Sequence, residues 1–221
     1  MKNDLKKAVL DTVPVMTGYL VLGFGFGILM RSAGFGIGLS VAMSLMVYAG
    51  SMQYAAVGLL GGGASLVTVA LTTLMVNARH LFYGISMLER YRGAGAAKPY
   101  LIFSLTDETY SLVCTGEQGK RYQLLVSVLD HAYWVAGTLL GAVAGALVAI
   151  PTEGIDFALT ALFLTVFLEQ WLTNERHGPA LIGVAASVGC LVVFGSERFL
   201  IPAMLVIALA LCFYQEEKKD G

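Results

Sequence analysis

The sequence predicts an all-α, polytopic helical membrane protein with about six to eight membrane segments of ~20 residues each. Three observations predict it. Of 221 residues, 57% are hydrophobic, only 13% are charged, and mean hydropathy is +0.74. A soluble domain carries about 45–50% apolar and about 25% charged residues. The formal net charge of −1 supplies no basic field for nucleic acid. Residues 1–221 read as a single integral membrane domain, with no stretch left over for a separate soluble core.

The first apolar run, 8–30, is long enough to cross a bilayer. It holds Asp11 and Pro14 and ends at Met30-Arg31 without a small-residue cleavage site, so it reads as a retained helix. Runs 37–60 and 64–88 also reach spanning length, and Gly61-Gly62-Gly63 marks a turn between them. The run 122–150 is longest, and 156–173 follows it. Runs 100–115, 180–195 and 199–214 fall below the usual ~17–25 residues. That is the length expected of broken or re-entrant helices. Lys2, Lys6 and Lys7 argue for a cytoplasmic N-terminus. The distribution of basic residues improves when 37–60 and 156–173 are re-entrant and 100–115 does not cross. Cys114, Cys190 and Cys212 are odd in number and widely spaced, which suits core packing and neither disulfides nor metal.

Two stretches look alike. Gly23 and Gly27 lead into Gly36-Ile37 and an apolar run ending at Gln53. Gly137 and Gly141 lead into Gly154-Ile155 and a run ending at Gln170. Repeat halves of about 8–90 and 122–200 follow, the usual construction of secondary transporters. Gly137, Gly141 and Gly145 form a small-residue stripe for close helix approach. If exposed, such a stripe suits contact with a second chain.

Polar residues within apolar runs are costly and mark candidate sites. Asn77, Arg79, His80 and Tyr83 cluster late in the third run. On one continuous helix Asn77, His80 and Gly84 share a face, and Arg79 and Tyr83 share another. Thr106-Asp107-Glu108 interrupts the run 100–115 and offers carboxylates to Arg79, with Asp130 as a further partner. Asp130-His131 with Tyr133-Trp134 lies in the long fifth run, where Tyr and Trp also suit an interface. Tyr48-Ala49-Gly50-Ser51-Met52-Gln53 reads as an unwound point inside 37–60. Gln53 there serves equally as glue between helices. Asp156, Glu169 and Gln170 are the corresponding second-half residues.

With these residues in view the chain resembles the AzlC family. The resemblance rests on Ala49-Gly50-Ser51-Met52-Gln53, Gly63-Ala64-Ser65 and Asn77-Ala78-Arg79-His80-Leu81-Phe82-Tyr83-Gly84. It continues through Asp107-Glu108-Thr109-Tyr110, Tyr133-Trp134 with the glycine stripe, and Gly154-Ile155-Asp156-Phe157. The motifs run in order over essentially the whole chain. The resemblance implies the large subunit of a branched-chain amino-acid exporter in the bacterial plasma membrane. It also implies a small AzlD-like membrane subunit as partner and valine, leucine and isoleucine as substrates.

A zwitterionic aliphatic amino acid needs a cation, an anion and an apolar wall. Arg79 or the backbone at Gly50-Ser51 suits its carboxylate, and Asp107 or Glu108 its ammonium. The candidate substrate residues are Tyr48, Gly50, Ser51, Gln53, Asn77, Arg79, Tyr83 and Asp107. No nucleotide-binding loop is present, so a proton or other ion gradient would drive transport. His80, Asp107, Glu108 and Asp130 are the candidate proton carriers. No cofactor is expected. The alternatives are a channel-like or structural subunit, or a carrier of another small metabolite. An enzyme is disfavoured, because Ser51 with His80 or His131 lacks an oxyanion device. No apolar run holds the lysine that a retinal Schiff base requires.

Overall fold

The computed structural model describes residues 2–114, 118–148, 154, 157, 160–161, 164, 167–168, 171–172, 177–195 and 199–214. Asp156, Glu169 and Gln170 fall outside them, as do most residues between 149 and 176. The described elements are helical: α1 (Lys2–Ser32), α2 (Ile37–Met46), α3 (Gly50–Gly61), α4 (Leu66–Val76), α5 (Ala78–Met87), α6 (Lys98–Phe103), α7 (Asp107–Val113), α8 (Lys120–Leu147), α9 (Gly178–Phe194) and α10 (Leu200–Phe213). A single 3-10 turn, Gly95–Ala97, precedes α6. The chain divides into two compact units, 1–160 and 161–221.

Helices α1 and α8 are both long and apolar enough to cross a membrane. Pro14 removes one backbone hydrogen bond from α1 without ending it, and the Thr17 hydroxyl donates to the Pro14 carbonyl at 2.7 Å. The two helices pack through glycine. A Cβ on Gly23 would lie 2.7 Å from the Trp134 carbonyl, and one on Gly137 would lie 2.8 Å from that of Leu20. Gly141 meets the Phe24 backbone, and Gly145 meets the Arg31 side chain. The partners rise together along both helices (20 with 137, 24 with 141, 31 with 145), so α1 and α8 run parallel. The expectation of an exposed stripe is therefore corrected: Gly137, Gly141 and Gly145 are spent inside this chain, the first two against backbone where only hydrogen permits the approach and Gly145 in a tight fit against the Arg31 side chain.

Run 37–60 is interrupted near the Tyr48–Gln53 stretch that reads as unwound, and run 64–88 is not the uninterrupted helix that its length suggests. The first breaks between α2 and α3. Ser44 of α2 bonds Thr138 of α8 at 2.7 Å, and Tyr48 meets Tyr19 edge-on at 6.4 Å. Tyr54 of α3 then donates to the Leu22 carbonyl at 2.6 Å and lies 5.9 Å from the Phe26 ring. The chain thus descends from the C-terminal end of α1 to the level of Tyr19 and turns back. The second run kinks at Asn77 (φ −95, ψ 3), between α4 and α5. Asn77 therefore shares no helical face with His80 and Gly84, because the helix ends there and a new one starts.

The pair α6–α7 is a second hairpin, entering from the opposite end. Leu101, Val113, Met87 and Tyr91 pack in one buried cluster with Ala8 and Tyr122, near the starts of α1 and α8. Lys120 donates to the Arg90 carbonyl, and Arg90 reaches the Val113 carbonyl at 3.5 Å. Between those ends the hairpin reaches its tip at Thr106, which bonds Tyr19 at 2.6 Å.

In the second unit α9 and α10 form an antiparallel pair, with the Tyr214 ring against Gly178. Cys190 is buried as core packing requires, whereas Cys212 is exposed. Val184, Val188, Val192, Leu205 and Leu209 are exposed. Long rows of exposed aliphatic side chains suit contact with lipid.

Candidate functional site

The two hairpin tips meet α1, α5 and α8 about halfway along the long helices. Asp130 lies ten residues into α8, about 15 Å along its axis, half the roughly 30 Å of a bilayer's hydrocarbon core. Each side chain there is placed by a local backbone device. At the first tip Tyr48 adopts φ +40, a conformation a bulky residue reaches only under strain. Gly50 opens α3, where a Cβ would lie 2.9 Å from Trp134 Cη2. At the second tip the Thr106 side chain caps α7 by accepting from the Thr109 amide at 3.3 Å. Asp107 and Glu108 then occupy the first turn of α7, where helix dipoles favour carboxylates.

Arg79 joins the two tips. Its Nη1 lies 2.7 Å from Asp107 Oδ2, and its Nη2 donates to Ser51 Oγ at 2.8 Å. The side chains of Arg79 and Asp107 are 31% and 33% exposed, so the pair is reachable from outside the packed core. The second oxygen, Asp107 Oδ1, is buried without a hydrogen-bond partner. Tyr83, one turn along α5, stacks on Tyr110 at 4.6 Å, which fixes α5 beside α7.

A chain of hydroxyls links the other two carboxyls. Tyr19 donates to Glu108 Oε2 at 2.7 Å and bonds Thr106 at 2.6 Å. Thr106 donates to Thr109 at 3.1 Å, and Thr109 donates to Asp130 Oδ2 at 2.8 Å. Three hydroxyls therefore separate Glu108 from Asp130, and each can accept a proton as it releases one.

The structure brings Ser51, Arg79, Asp107, Glu108 and Asp130 into one region, and places the remaining sequence candidates around it in other contacts. His80 turns back to the Asn77 carbonyl at 3.2 Å and meets Tyr83 edge-on. Asn77 Oδ1 is buried and unpartnered at the kink. Gln53 is fully buried, accepting from Trp134 Nε1 at 2.9 Å and donating to Ser44 at 3.0 Å. Removing the Trp134 donor leaves that Gln53 oxygen unpaired. Trp134→Phe is thus expected to lower stability by about 1–3 kcal/mol, read as an earlier thermal unfolding midpoint in detergent.

Sequence reading missed Tyr19 and left Thr109 and His131, which it had named, without a role. Tyr19 and Thr109 are the links of the hydroxyl chain. His131 pins the first tip: its Nε2 lies 3.2 Å from the Ser44 carbonyl, its Nδ1 3.0 Å from the Tyr100 hydroxyl, and its ring 4.2 Å from that of Tyr48. The available signal was a tyrosine deep in an apolar run, since a buried phenol needs a partner.

A guanidinium fork next to a carboxylate, reachable and backed by apolar helices, has the chemistry to exchange internal partners for a zwitterion. The AzlC protein family profile matches residues 14–148. The chain is 45% identical to the "Branched-chain amino acid transport protein AzlC" of Bacillus subtilis, across 89% of this chain and 79% of that protein. It is 37% identical to an "Uncharacterized membrane protein" of Helicobacter pylori J99, covering 97% and 98% of the two chains. It is 28% identical to the "Inner membrane protein YgaZ" of Escherichia coli K12, covering 90% and 84%. No solved structure matches.

Proposed function

The chain belongs to the AzlC family of membrane transport proteins, and from that premise we propose that it is the large subunit of a secondary exporter for branched-chain amino acids. The substrate class rests on the similarity to the branched-chain amino acid transport protein of Bacillus subtilis. The observation that carries the site is the Arg79–Asp107 pair, held at 2.7 Å between two helix breaks with Ser51 on the same guanidinium. In this reading the substrate carboxylate takes the Arg79 fork, and its ammonium takes Asp107 with carbonyls at the C-terminal end of α2. Tyr48, Gly50, Ser51, Asn77 and Tyr83 shape the surroundings, and Gln53 holds α3 in place.

Within 1–160, α1, α4–α5 and α8 then cross the membrane, and two re-entrant hairpins enter from opposite faces. Parallel α1 and α8 require an odd number of crossings between them, and the single kinked α4–α5 supplies it. Lys2, Lys6, Lys7, Lys120 and Arg121 then share one face, the cytoplasmic one by the charge rule. Glu108 and Asp130, joined by hydroxyls, are the coupling carboxyls, while His80 stands outside that chain.

Two measurements test the function. A strain lacking the protein and other exporters, fed valine- and leucine-containing dipeptides, should accumulate both amino acids internally. Unchanged levels contradict the substrate class. Leucine counterflow into proteoliposomes should be faster with a small AzlD-like subunit present than with this chain alone. Equal rates contradict the two-subunit reading.

A further inference from the structure

Three buried oxygens on one face of α8 have no hydrogen-bond partner: Gln123 Oε1, Ser127 Oγ and Asp130 Oδ1. Their residues are 1%, 0% and 0% exposed. They stand at i, i+4 and i+7, so they form one row along the helix. The same face continues as Trp134, Gly137 and Gly141, by which α8 packs on α1. Toward its C-terminal end the seam is thus glycine against backbone, and toward its N-terminal end it is polar.

An unpaired buried polar atom is destabilising, and a sealed seam has no use for three of them in a row. Ser127 is the most telling. The hydroxyls of Thr12, Ser40, Ser104 and Thr138 each donate to the carbonyl four residues earlier. That of Ser127 does not. Water is the usual partner of such groups. The row starts one turn inside the beginning of α8, where Gln123 Nε2 reaches the Gln118 carbonyl at 3.5 Å, close to Lys120 and Arg121. It stops at Asp130, because Trp134 is tied to Gln53 and the glycines beyond leave no space.

Resting on the reading of Glu108 and Asp130 as coupling carboxyls, we propose that Gln123, Ser127 and Asp130 line a one-sided water path that carries protons between Asp130 and the membrane face where α8 begins. A proton from hydronium at that face passes along water held by Gln123 and Ser127 and protonates the Asp130 carboxylate. Once the Thr109 and Thr106 hydroxyls, which donate toward Asp130, rotate to donate toward Tyr19, each of the three releases one proton as it accepts another, Tyr19 delivers one to Glu108, and Asp130 is again a carboxylate. The ionisable groups that face Asp130 are Glu108 on α7, Tyr48 at the first tip, Tyr100 on α6 and Tyr122 on its own helix. His131 adjoins it in sequence, and α1 contributes Tyr19 through Glu108.

The test places a thiol in the row by Ser127→Cys, with Cys114, Cys190 and Cys212 changed to serine and Lys120→Cys as a separate marker of sidedness. Silver ion added to one side of sealed vesicles should block later maleimide labelling of the introduced thiol from the marker's side only, by about tenfold over the other. Block from both sides, or from neither, overturns the one-sided path. In proteoliposomes with entrapped pH dye, Ser127→Val should slow leucine-coupled proton flux about tenfold or more, with leucine counterflow near wild type. Unchanged flux, a parallel loss of counterflow, or a flux that follows Na⁺ and ignores pH each overturns it. Absence of leucine counterflow in the wild type refutes the transport reading instead, and the silver result still judges the path.

Discussion

Arg79→Lys is expected to leave the protein in the membrane at normal abundance and to remove most transport. Lysine keeps the positive charge, so Asp107 is not stranded beside nothing. It cannot hold Asp107 and Ser51 together in the planar fork that Arg79 presents. A hydrogen bond to a charged group is worth about 1.5–3 kcal/mol, so its loss at the binding step slows transport roughly tenfold to a hundredfold. Arg79→Ala should behave differently, because it leaves a partly exposed carboxylate with no cation beside apolar helices, at a cost below the ~3–5 kcal/mol of a fully buried pair. It should deplete the protein from the membrane, and adding Asp107→Ala should restore abundance without restoring transport. Full transport in that double variant would mean the pair only holds the fold. Leucine counterflow at matched protein amounts is the measurement, with Asp107→Asn as the reciprocal change.

The second large effect is structural. Gly141→Leu should abolish folded protein. A Cβ there would sit inside the Phe24 backbone, touching its carbonyl oxygen and lying 2.7 Å from its Cα. None of those atoms can rotate away, so α1 and α8 must part along the longest helix–helix seam among the described residues. Overpacking a core costs about 1–3 kcal/mol and occasionally more, against a total stability of about 5–15 kcal/mol. Gly18→Leu is the control, since nothing lies within 4 Å of a Cβ on that α1 residue. Membrane abundance and size-exclusion profiles in detergent should separate the two sharply.

These contrasts show which parts of the molecule are legible from sequence. The helical membrane class was readable because composition and run length are properties of each segment by itself. Unwinding near Gly50 and at Thr106-Asp107-Glu108 was also readable, since glycine and paired carboxylates break an apolar run locally. The kink at Asn77 was not, because asparagine is tolerated within helices and only the backbone at ψ 3 reveals the break. The glycine stripe was read correctly as a site of close approach and wrongly as an outer surface. Spacing gives a helix face, but not what lies against it. His131 and Tyr19 went unassigned for the same reason: their partners, Ser44, Tyr100 and Thr106, are remote in sequence. Most of the run from Gly154 to Gln170 lies outside the described residues, so the likeness between Gly23–Gln53 and Gly137–Gln170 stays a sequence observation.

The central claim is that an aliphatic amino acid binds where Ser51, Arg79 and Asp107 meet. Alkylation of a thiol introduced by Ser51→Cys, with the native cysteines changed to serine, tests it most directly. Saturating leucine is expected to slow that alkylation severalfold, and to lose this effect when Arg79→Lys is added. Alkylation at one rate with and without leucine, in a preparation that still performs leucine counterflow, would place the substrate elsewhere and contradict the account.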